Sequence, residues 1–507
     1  MAKRRENLGK KEKLHQGECD LDAGYISPVR KWEDLTSGNI RDVLSRSRYV
    51  QLLLSLTVIG FFLRFYELGF NSLWLDEAST YTFAVQSFTQ IWQATSSGEF
   101  NPPLFYWIEH VMLAFGNNEF ILRFIPAVAG FLTIPLMYFV GKEFMDRNVG
   151  IIAAAGCTFS PFLIYYSQEA RAYELMFFFV ALATIFYLKA LKSDSLRDWA
   201  LFGVFSALAF WSHFYALVII GALFLYAIAV KVEKFRENIR NLIPLVSAAV
   251  VFAIICLPLL LLTLQLFAKR TAGGPTFGVQ GLDVIYETFL QVAGFNEIVM
   301  YLLVIIFLAG IIQAFLIDRN KGVFLVVLTV LTFVISFLLS FMIPMVPRYL
   351  IFFSMVFFLG IAVSYRLFWS LVNNKAIVYG FVIFLIIVSL PILSGYYSGY
   401  TKDDWRGFSK AMQQAAKPGD FIVLVPGYIS QPFNYYYTNS TYGTFEYGAS
   451  DAQGLAGIYS QKANNSVYFI VTGDIYSANP AGDALAWLKA NATPVGQITG
   501  INLFKST

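Results

Sequence analysis

The feature that most constrains this chain is a series of long apolar runs that fills most of its length. A helix needs roughly 17–25 apolar residues to cross a hydrocarbon layer about 30 Å thick. By that length the runs predict about eleven transmembrane helices, near residues 49–66, 121–141, 148–166, 173–190, 199–214, 215–231, 241–267, 298–317, 321–342, 348–368 and 375–395. With 57% hydrophobic and 14% charged residues, the composition is typical of a polytopic membrane protein. The small net charge of +4 gives no indication of a nucleic-acid partner.

Basic residues predict the orientation of these helices in the bilayer. The arm 1–48 is polar and rich in Lys and Arg, and it lacks the short apolar core of a signal peptide. Because short cytoplasmic segments are enriched in Lys and Arg, we expect this arm in the cytoplasm. The multi-pass domain 49–395 then places its first loop, residues 67–120, outside, together with everything after residue 395.

The last part of the chain, residues 396–507, changes character, because Gly, Asn, Ser and Tyr become frequent and no further apolar span follows. The runs "FIVLVPG" (421–427) and "VYFIVTGD" (467–474) are typical of short buried strands. The stretch 404–416 has helical periodicity. We therefore predict a mainly α membrane protein with a small extracytoplasmic α/β domain, whose "NYYYTNSTY" run (434–442) either holds an acceptor or belongs to an interfacial aromatic belt.

Ionisable side chains are costly in a bilayer and indicate a functional site wherever they occur near spans. With the predicted orientation, all those near span ends lie toward the outer face: Arg64, Glu67, Asp76, Glu77, Glu109, His110, Arg123, Glu169, Arg171, Glu174, His213 and Arg348. A random scatter would have placed them on both faces. The one-sided pattern predicts a single cavity that opens outward, lined by carboxylates and cations.

Each of these residues also has a simpler explanation when taken alone. The acids of "LDEAST" suit the first turn of a helix, where negative charge is favoured. Glu169 and Arg171 could pair within one turn. His213 could be an interfacial histidine with satisfied hydrogen bonds, and Arg348 could extend to lipid headgroups. The order of the motifs along the chain is more specific than any single residue.

That order consists of "LWLDEAST" after the first span, "NPPLFYW" in the first loop, a helix at 102–116 expected to lie at the membrane interface, then "SPFLIYYSQEARAYEL", "SHFYA" and "VPRYLIF". Over roughly residues 60–400 it resembles the GT-C superfamily of membrane glycosyltransferases. The resemblance is strongest to the protein O-mannosyltransferases and their prokaryotic relatives, including the aminoarabinose transferases of lipid A (glycosyltransferase family 39 type). One departure is Asn101, where many relatives carry the histidine of His-Pro-Pro-Leu.

The resemblance implies an inverting transfer of a sugar from a polyprenyl-phosphate donor to an acceptor outside the membrane. It implies that the first-loop acid is catalytic, so we predict Asp76 as the general base, with Glu77 beside it contacting acceptor or sugar. The phosphate calls for cations, and Arg grips phosphate oxygens in two places. Arg171 and Arg348 are the leading candidates, and the further predicted substrate contacts are Arg123, His213, Tyr173, Lys269 and Arg270. We expect Glu169 to orient Arg171 or Arg123.

Neither a cofactor nor a divalent metal is expected, because the cations are numerous enough to neutralise a monophosphate and the first loop has no Asp-x-Asp pair. Glu and His side chains from distant segments could still come together to bind zinc. The three cysteines are far apart and show no metal-binding spacing. A transporter or flippase of lipid-linked sugar is the alternative function, although its polar groups would be expected near the bilayer midplane. Sugar and acceptor stay open, and a protein, a glycan and a glycolipid are all possible acceptors.

Overall fold

The structure is a computed structural model that describes residues 19–28, 34, 36–99, 101–462 and 465–506. The basic residues at positions 1–18, which predicted a cytoplasmic arm, lie outside the described residues. The segment that follows is tied to the helices by Asp22, whose carboxylate accepts hydrogen bonds from Ser47 Oγ and Arg48 N, each at 2.7 Å.

The described residues up to Tyr396 form a helical bundle. Its helices are α1 (Ser37–Arg46), α2 (Arg48–Phe65), α3 (Leu75–Ala84), α4 (Phe88–Ser97), α5 (Leu104–Met112), α6 (Glu119–Leu122), α7 (Phe124–Phe144), α8 (Arg147–Phe159), α9 (Pro161–Ser167), α10 (Tyr173–Ser193), α11 (Leu196–Ser212), α12 (Ala216–Glu237), α13 (Ile243–Thr271), α14 (Asp283–Val292), α15 (Glu297–Ile317), α16 (Arg319–Ser340), α17 (Phe353–Val363), α18 (Tyr365–Val372) and α19 (Ala376–Tyr396). Short 3-10 turns at Leu113–Phe115, Ile239–Leu242 and Pro347–Leu350 extend or precede these helices.

The predicted helical membrane fold is confirmed. In the described part of the chain, nine helices are long and apolar enough to span a bilayer, and the bent pair α8–α9 would make a tenth. The pair bends by 59° at Ser160, because Pro161 has no N–H to continue the hydrogen bonding of α8. The remaining predicted span corresponds to α11, which has 17 residues. All eleven predicted segments therefore fall on helices.

The first loop folds into the short helices α3 to α6, which lie at one end of the bundle. Asp76 and Glu77 occupy the first turn of α3, as expected for acids near the positive end of a helix dipole. The predicted interfacial helix corresponds to α5 with its 3-10 extension to Phe115. We call this end of the bundle the domain end, because the C-terminal domain packs against it.

The C-terminal domain is a five-stranded sheet with helices on both faces. Its elements are α20 (Trp405–Ala415), β1 (Phe421–Val425), a 3-10 turn at Gly427–Ile429, α21 (Ser430–Tyr436), α22 (Asn439–Tyr442), β2 (Phe445–Gly448), α23 (Ala452–Tyr459), β3 (Val467–Thr472), α24 (Ile475–Ala478), α25 (Asp483–Asn491), β4 (Ala492–Ile498) and β5 (Ile501–Ser506). The strand order is β2-β1-β3-β5-β4, with β2, β1 and β3 parallel and β5 antiparallel to both neighbours. Strands β1 and β3 are buried on both faces, which explains their continuous apolar sequences.

Two tyrosines of the aromatic run 434–442 contact the first loop. Tyr436 Oη donates to Glu119 at 2.6 Å and accepts from the backbone N–H of Leu73 at 2.8 Å. Tyr435 Oη donates to the backbone carbonyl of Asn117. Tyr435 and Tyr436 therefore join the domain to the first loop, and a role of this run in holding an acceptor stays a prediction.

Candidate active site

A cavity of about 550 Å³ opens where the first loop, the bundle and the C-terminal domain meet. This volume lies in the range of about 300–1,000 Å³ found for small-molecule sites. The cavity is lined by Trp74, Leu75, Asp76, Ser79, Glu99, Asn101, Arg171, Thr276, Phe277, Arg348, Tyr349, Tyr428, Asp474, Ser477 and Ala478. Three of the predicted site residues, Asp76, Arg171 and Arg348, thus lie together although they come from distant parts of the chain.

Asp76 is held at the cavity by both arginines. Arg348 Nη2 donates to its carboxylate at 3.1 Å, and Arg171 Nη1 donates to its backbone carbonyl at 3.1 Å. The Asp76 side chain keeps 23% of its surface exposed. A partly exposed carboxylate beside two guanidinium groups can accept a proton from one ligand group while the arginines bind an anionic one.

Tyrosines and a tryptophan fix the two arginines in place. Arg348 Nε donates to Tyr173 Oη at 3.1 Å, and its guanidinium lies 5.5 Å from the ring centroid of Trp74. The Arg171 guanidinium lies 5.9 Å from the ring centroid of Tyr173. Tyr173 was predicted to contact substrate. In the structure it does not line the cavity and instead contacts the two arginines.

Glu77 faces away from this cavity, into a buried ion-pair network. Its two carboxylate oxygens each accept a hydrogen bond of 2.7 Å from Arg123. Lys402 Nζ donates to Glu77 at 3.0 Å and the backbone N–H of Ala170 donates to it at 2.8 Å. Burial alone would raise the pKa of Glu77, but the charges of Arg123 and Lys402 outweigh it and hold that pKa below its ordinary value. The expected contact of Glu77 with acceptor or sugar is therefore not seen, and Arg123 is committed to Glu77.

Glu169 is also placed differently from the prediction, because it orients neither Arg171 nor Arg123. Its carboxylate lies 3.7 Å from Lys402 Nζ and accepts no hydrogen bond from the described residues. Burial, opposed by Lys402 and reinforced by Glu77, raises the pKa of Glu169. Lys402 thus holds two carboxylates, one on the first loop and one on the turn that carries Arg171.

His213 lies behind the cavity, with its ring centroid 5.0 Å from that of Tyr349. Its Nδ1 accepts a hydrogen bond from the backbone N–H of Tyr215 at 3.3 Å, and the side chain is buried. His213 does not line the cavity described above, so the predicted phosphate contact is not seen.

Lys269 and Arg270 line a second cavity, of about 470 Å³, on the other side of Glu99. Lys269 Nζ donates to the backbone carbonyl of Ser97 at 3.2 Å, and Arg270 Nη2 donates to that of Glu99 at 2.6 Å. Glu99 lines both cavities. The predicted basic pair is therefore separated from Asp76 by the segment that carries Glu99.

Among the described residues, no group of three or more His, Cys, Asp or Glu side chains is arranged to hold a metal ion. Three carboxylates, those of Asp76, Glu99 and Asp474, line the cavity together with the two arginines. The arginines can bind an anionic group, and the carboxylates can accept hydrogen bonds from hydroxyl groups.

The chain is similar to known proteins in part of its sequence and in its fold. Residues 101–261 match the family model described as dolichyl-phosphate-mannose-protein mannosyltransferase. ArnT from Cupriavidus metallidurans, solved bound to undecaprenyl phosphate, has a TM-score of 0.57 at 13% identity, over 90% of this chain and 98% of that one. The chain has the GT-C fold and matches a family of membrane glycosyltransferases.

Two archaeal structures share the fold. The Archaeoglobus fulgidus oligosaccharyltransferase in complex with Zn and sulfate has a TM-score of 0.54 at 12% identity, covering 87% of this chain and 71% of that one. AglB of the same organism, in complex with an inhibitory peptide and a dolichol-phosphate, has a TM-score of 0.53 at 12% identity, over 92% and 75% of the two chains. No curated protein sequence matches this chain. The family resemblance stated from the sequence is confirmed, and the match over residues 101–261 agrees with the predicted glycosyltransferase class.

Four residues at or beside this cavity were not identified from the sequence: Glu99, Lys402, Tyr428 and Asp474. Only Lys402 carried a usable signal, because a Lys directly after the last span lies on the face where basic residues are unusual. Glu99, Tyr428 and Asp474 lie in loops of ordinary composition, so only the folded chain brings them to the cavity.

The ion-pair network leads to a prediction about Lys402. Changing Lys402→Met leaves Glu169 buried without a cation and takes one of two cations from Glu77. Breaking a buried pair in this way costs about 3–5 kcal/mol, so we expect a melting temperature several degrees below that of the parent protein. Thermal unfolding of the purified protein in detergent measures this change.

The control is Lys410→Met, which removes the same charge from an exposed position on α20 and should leave the melting temperature nearly unchanged. Adding Glu169→Gln to Lys402→Met should restore part of the loss, because it removes the unpaired carboxylate. Equal melting temperatures for the two Lys variants would show that the ion pairs of Lys402 contribute nothing to the stability of the fold.

Proposed function

We propose that this protein is an inverting glycosyltransferase that moves a sugar from a polyprenyl-phosphate donor to an acceptor outside the membrane. The observation that carries the proposal is the meeting of Asp76, Arg171 and Arg348 in one cavity at the domain end. The structures of ArnT with undecaprenyl phosphate and of AglB with a dolichol-phosphate support a polyprenyl-phosphate donor.

The domain end lies outside the membrane in this proposal, and the N-terminal arm lies in the cytoplasm. The distribution of Lys and Arg along the sequence supports this orientation. It places the cavity at the outer surface, where a lipid-linked donor held in the bilayer can present its phosphate while its tail stays among the apolar helices.

Asp76 acts as the general base in the proposed reaction. A hydroxyl oxygen of the acceptor attacks the anomeric carbon of the donor sugar and loses its proton to the Asp76 carboxylate. The bond between the anomeric carbon and the phosphate oxygen breaks on the opposite face, and the phosphate leaves with the bonding electrons. Because this is one direct displacement, the anomeric configuration inverts.

Arg171 and Arg348 bind the donor phosphate and stabilise the charge that grows on it. Preorganised donors of this kind contribute about 2.7–4 kcal/mol each in comparable sites. Arg348 contacts Asp76 directly, so the same side chain also sets the distance between base and leaving group. Tyr173, on which Arg348 is anchored, has a positioning role.

Turnover of a lipid-linked donor tests the function as a whole. Purified protein is incubated with a panel of polyprenyl-phosphate sugars, and mass spectrometry follows the release of polyprenyl phosphate. Release from at least one donor supports the transferase. Movement of intact donor across proteoliposome membranes without release would favour the flippase alternative.

The base assignment predicts the effect of Asp76→Asn. The amide keeps the shape of the side chain but accepts no proton, so we expect the transfer rate to fall by about 10²–10⁴-fold, the usual contribution of a general base. The rate of polyprenyl phosphate release measures the change. The control is Asp283→Asn, an exposed acid at the start of α14, and a normal rate for Asp76→Asn would contradict the assignment.

The phosphate assignment predicts weaker donor binding by Arg171→Ala and Arg348→Ala. A hydrogen bond to a charged group is worth about 1.5–3 kcal/mol, so each change should raise the Kd for donor by about 10–100-fold. Titration with a polyprenyl-phosphate sugar in detergent measures the Kd, with Arg197→Ala at an exposed position as control. If both variants bind donor as tightly as the parent, the phosphate lies elsewhere.

We further propose that transfer does not depend on a metal. The charge of a monophosphate is met by two arginines, so treatment with EDTA should leave the rate of polyprenyl phosphate release unchanged. The measurement compares treated protein with protein supplemented with Mg²⁺, Mn²⁺ or Zn²⁺. A loss of activity on chelation that one of these ions restores would show that the arginines alone are insufficient.

A further inference from the structure

Two loops of the C-terminal domain reach over the candidate active site. The turn Gly427–Ile429 follows β1, and α24 follows β3. Because β1 and β3 are neighbouring parallel strands, their carboxyl ends meet at one edge of the sheet, where ligands bind in open α/β sheets. Tyr428 comes from the turn after β1, and Asp474 and Ser477 come from the segment after β3. All three line the same cavity as Asp76. We call these three residues the domain rim.

The domain rim has free hydrogen-bonding capacity. Asp474 Oδ2 accepts from Thr472 Oγ1 at 2.9 Å, whereas its other carboxylate oxygen accepts no hydrogen bond from the described residues. The Tyr428 side chain is 43% exposed, and its hydroxyl lies 3.5 Å from the backbone carbonyl of Asp474. Ser477 is exposed as well.

The charges divide the cavity into two chemically different sides. The cations of the lining, Arg171 and Arg348, both come from the bundle, and the domain rim contributes a carboxylate, a phenol and a hydroxyl. Glu99 adds a second carboxylate between the two sides. An anionic group is therefore attracted to the bundle side and repelled from the domain rim.

We propose that the domain rim is the acceptor subsite and that it takes a neutral acceptor rich in hydroxyl groups, namely a saccharide. Asp474 and Ser477 can accept hydrogen bonds from sugar hydroxyls, and bonds to a carboxylate are the stronger kind. The exposed ring of Tyr428 offers an apolar face to the C–H face of a sugar. The inference rests on the proposed function, since it names the acceptor of the same reaction.

Other acceptor classes fit the domain rim less well. An acceptor that presents phosphate groups would meet Asp474 and Glu99 without a nearby cation of the domain. An extended peptide commonly adds to an exposed strand edge, whereas the domain rim is made of loops at the strand ends.

In the proposed step, an acceptor sugar hydroxyl bonds to the donor anomeric carbon, its proton passes to Asp76, and the polyprenyl phosphate leaves.

The experiment compares transfer with hydrolysis of the same donor. Full-length protein receives the polyprenyl-phosphate sugar identified above, together with either a panel of methyl glycosides or a mixture of Ser- and Thr-containing peptides. Water competes as acceptor, so each reaction yields a ratio of glycosylated probe to free sugar. We expect glycosylation of at least one methyl glycoside and a ratio about 10-fold lower for Asp474→Asn, as expected for one lost charged contact. The ratio should also fall for Tyr428→Ala, because that change removes the apolar face offered to the sugar.

Tyr476→Ala is the matched control. Tyr476 lies on α24, the short helix that carries Ser477, is 74% exposed and does not line the cavity. It should keep the ratio of the parent protein. Glycosylation of peptides but not of glycosides, transfer to no glycoside, or an unchanged ratio in both rim variants would each overturn the acceptor assignment. Failure to release polyprenyl phosphate with any acceptor, including water, would instead overturn the proposed function on which it rests.

Discussion

The architecture of the site depends on a buried ion-pair network that joins three separate parts of the chain. Glu77 of the first loop binds Arg123 at the start of α7 and Lys402 after the last span. Removing such charges from water is costly unless every group finds partners. The pairs are therefore made only when first loop, bundle and C-terminal domain are all in place, so the network couples the position of Asp76 to the assembly of the whole domain end.

The adjacent acids Asp76 and Glu77 illustrate how one helical turn separates two tasks. Successive side chains on a helix point about 100° apart, so α3 directs Glu77 into the protein and Asp76 into the cavity. Glu77 fixes the helix through Arg123, and Asp76 stays accessible beside Arg348. One carboxylate could not both form the buried ion pair with Arg123 and line the cavity beside Arg348.

The sequence was sufficient to predict the helices, the small α/β domain and the three residues that meet in the cavity. Long apolar runs and short buried strands carry strong local signals, and the one-sided distribution of charges indicated a shared site. Partners within the site were harder to predict, because Glu77 and Lys402 lie 325 residues apart and no local pattern connects them. Glu169 was expected to orient Arg171 or Arg123, whereas the fold places its carboxylate beside Lys402.

Position 101 carries an amide where many relatives have the histidine of His-Pro-Pro-Leu. The amide of Asn101 donates to Glu99 at 3.2 Å, and Tyr106 Oη donates to the same carboxylate oxygen at 2.8 Å. An amide cannot take up a proton, so position 101 serves to hold Glu99 at the boundary between the two cavities. In the proposed reaction the proton therefore passes to a carboxylate, and Asp76 is the carboxylate that the two arginines hold at the bundle side.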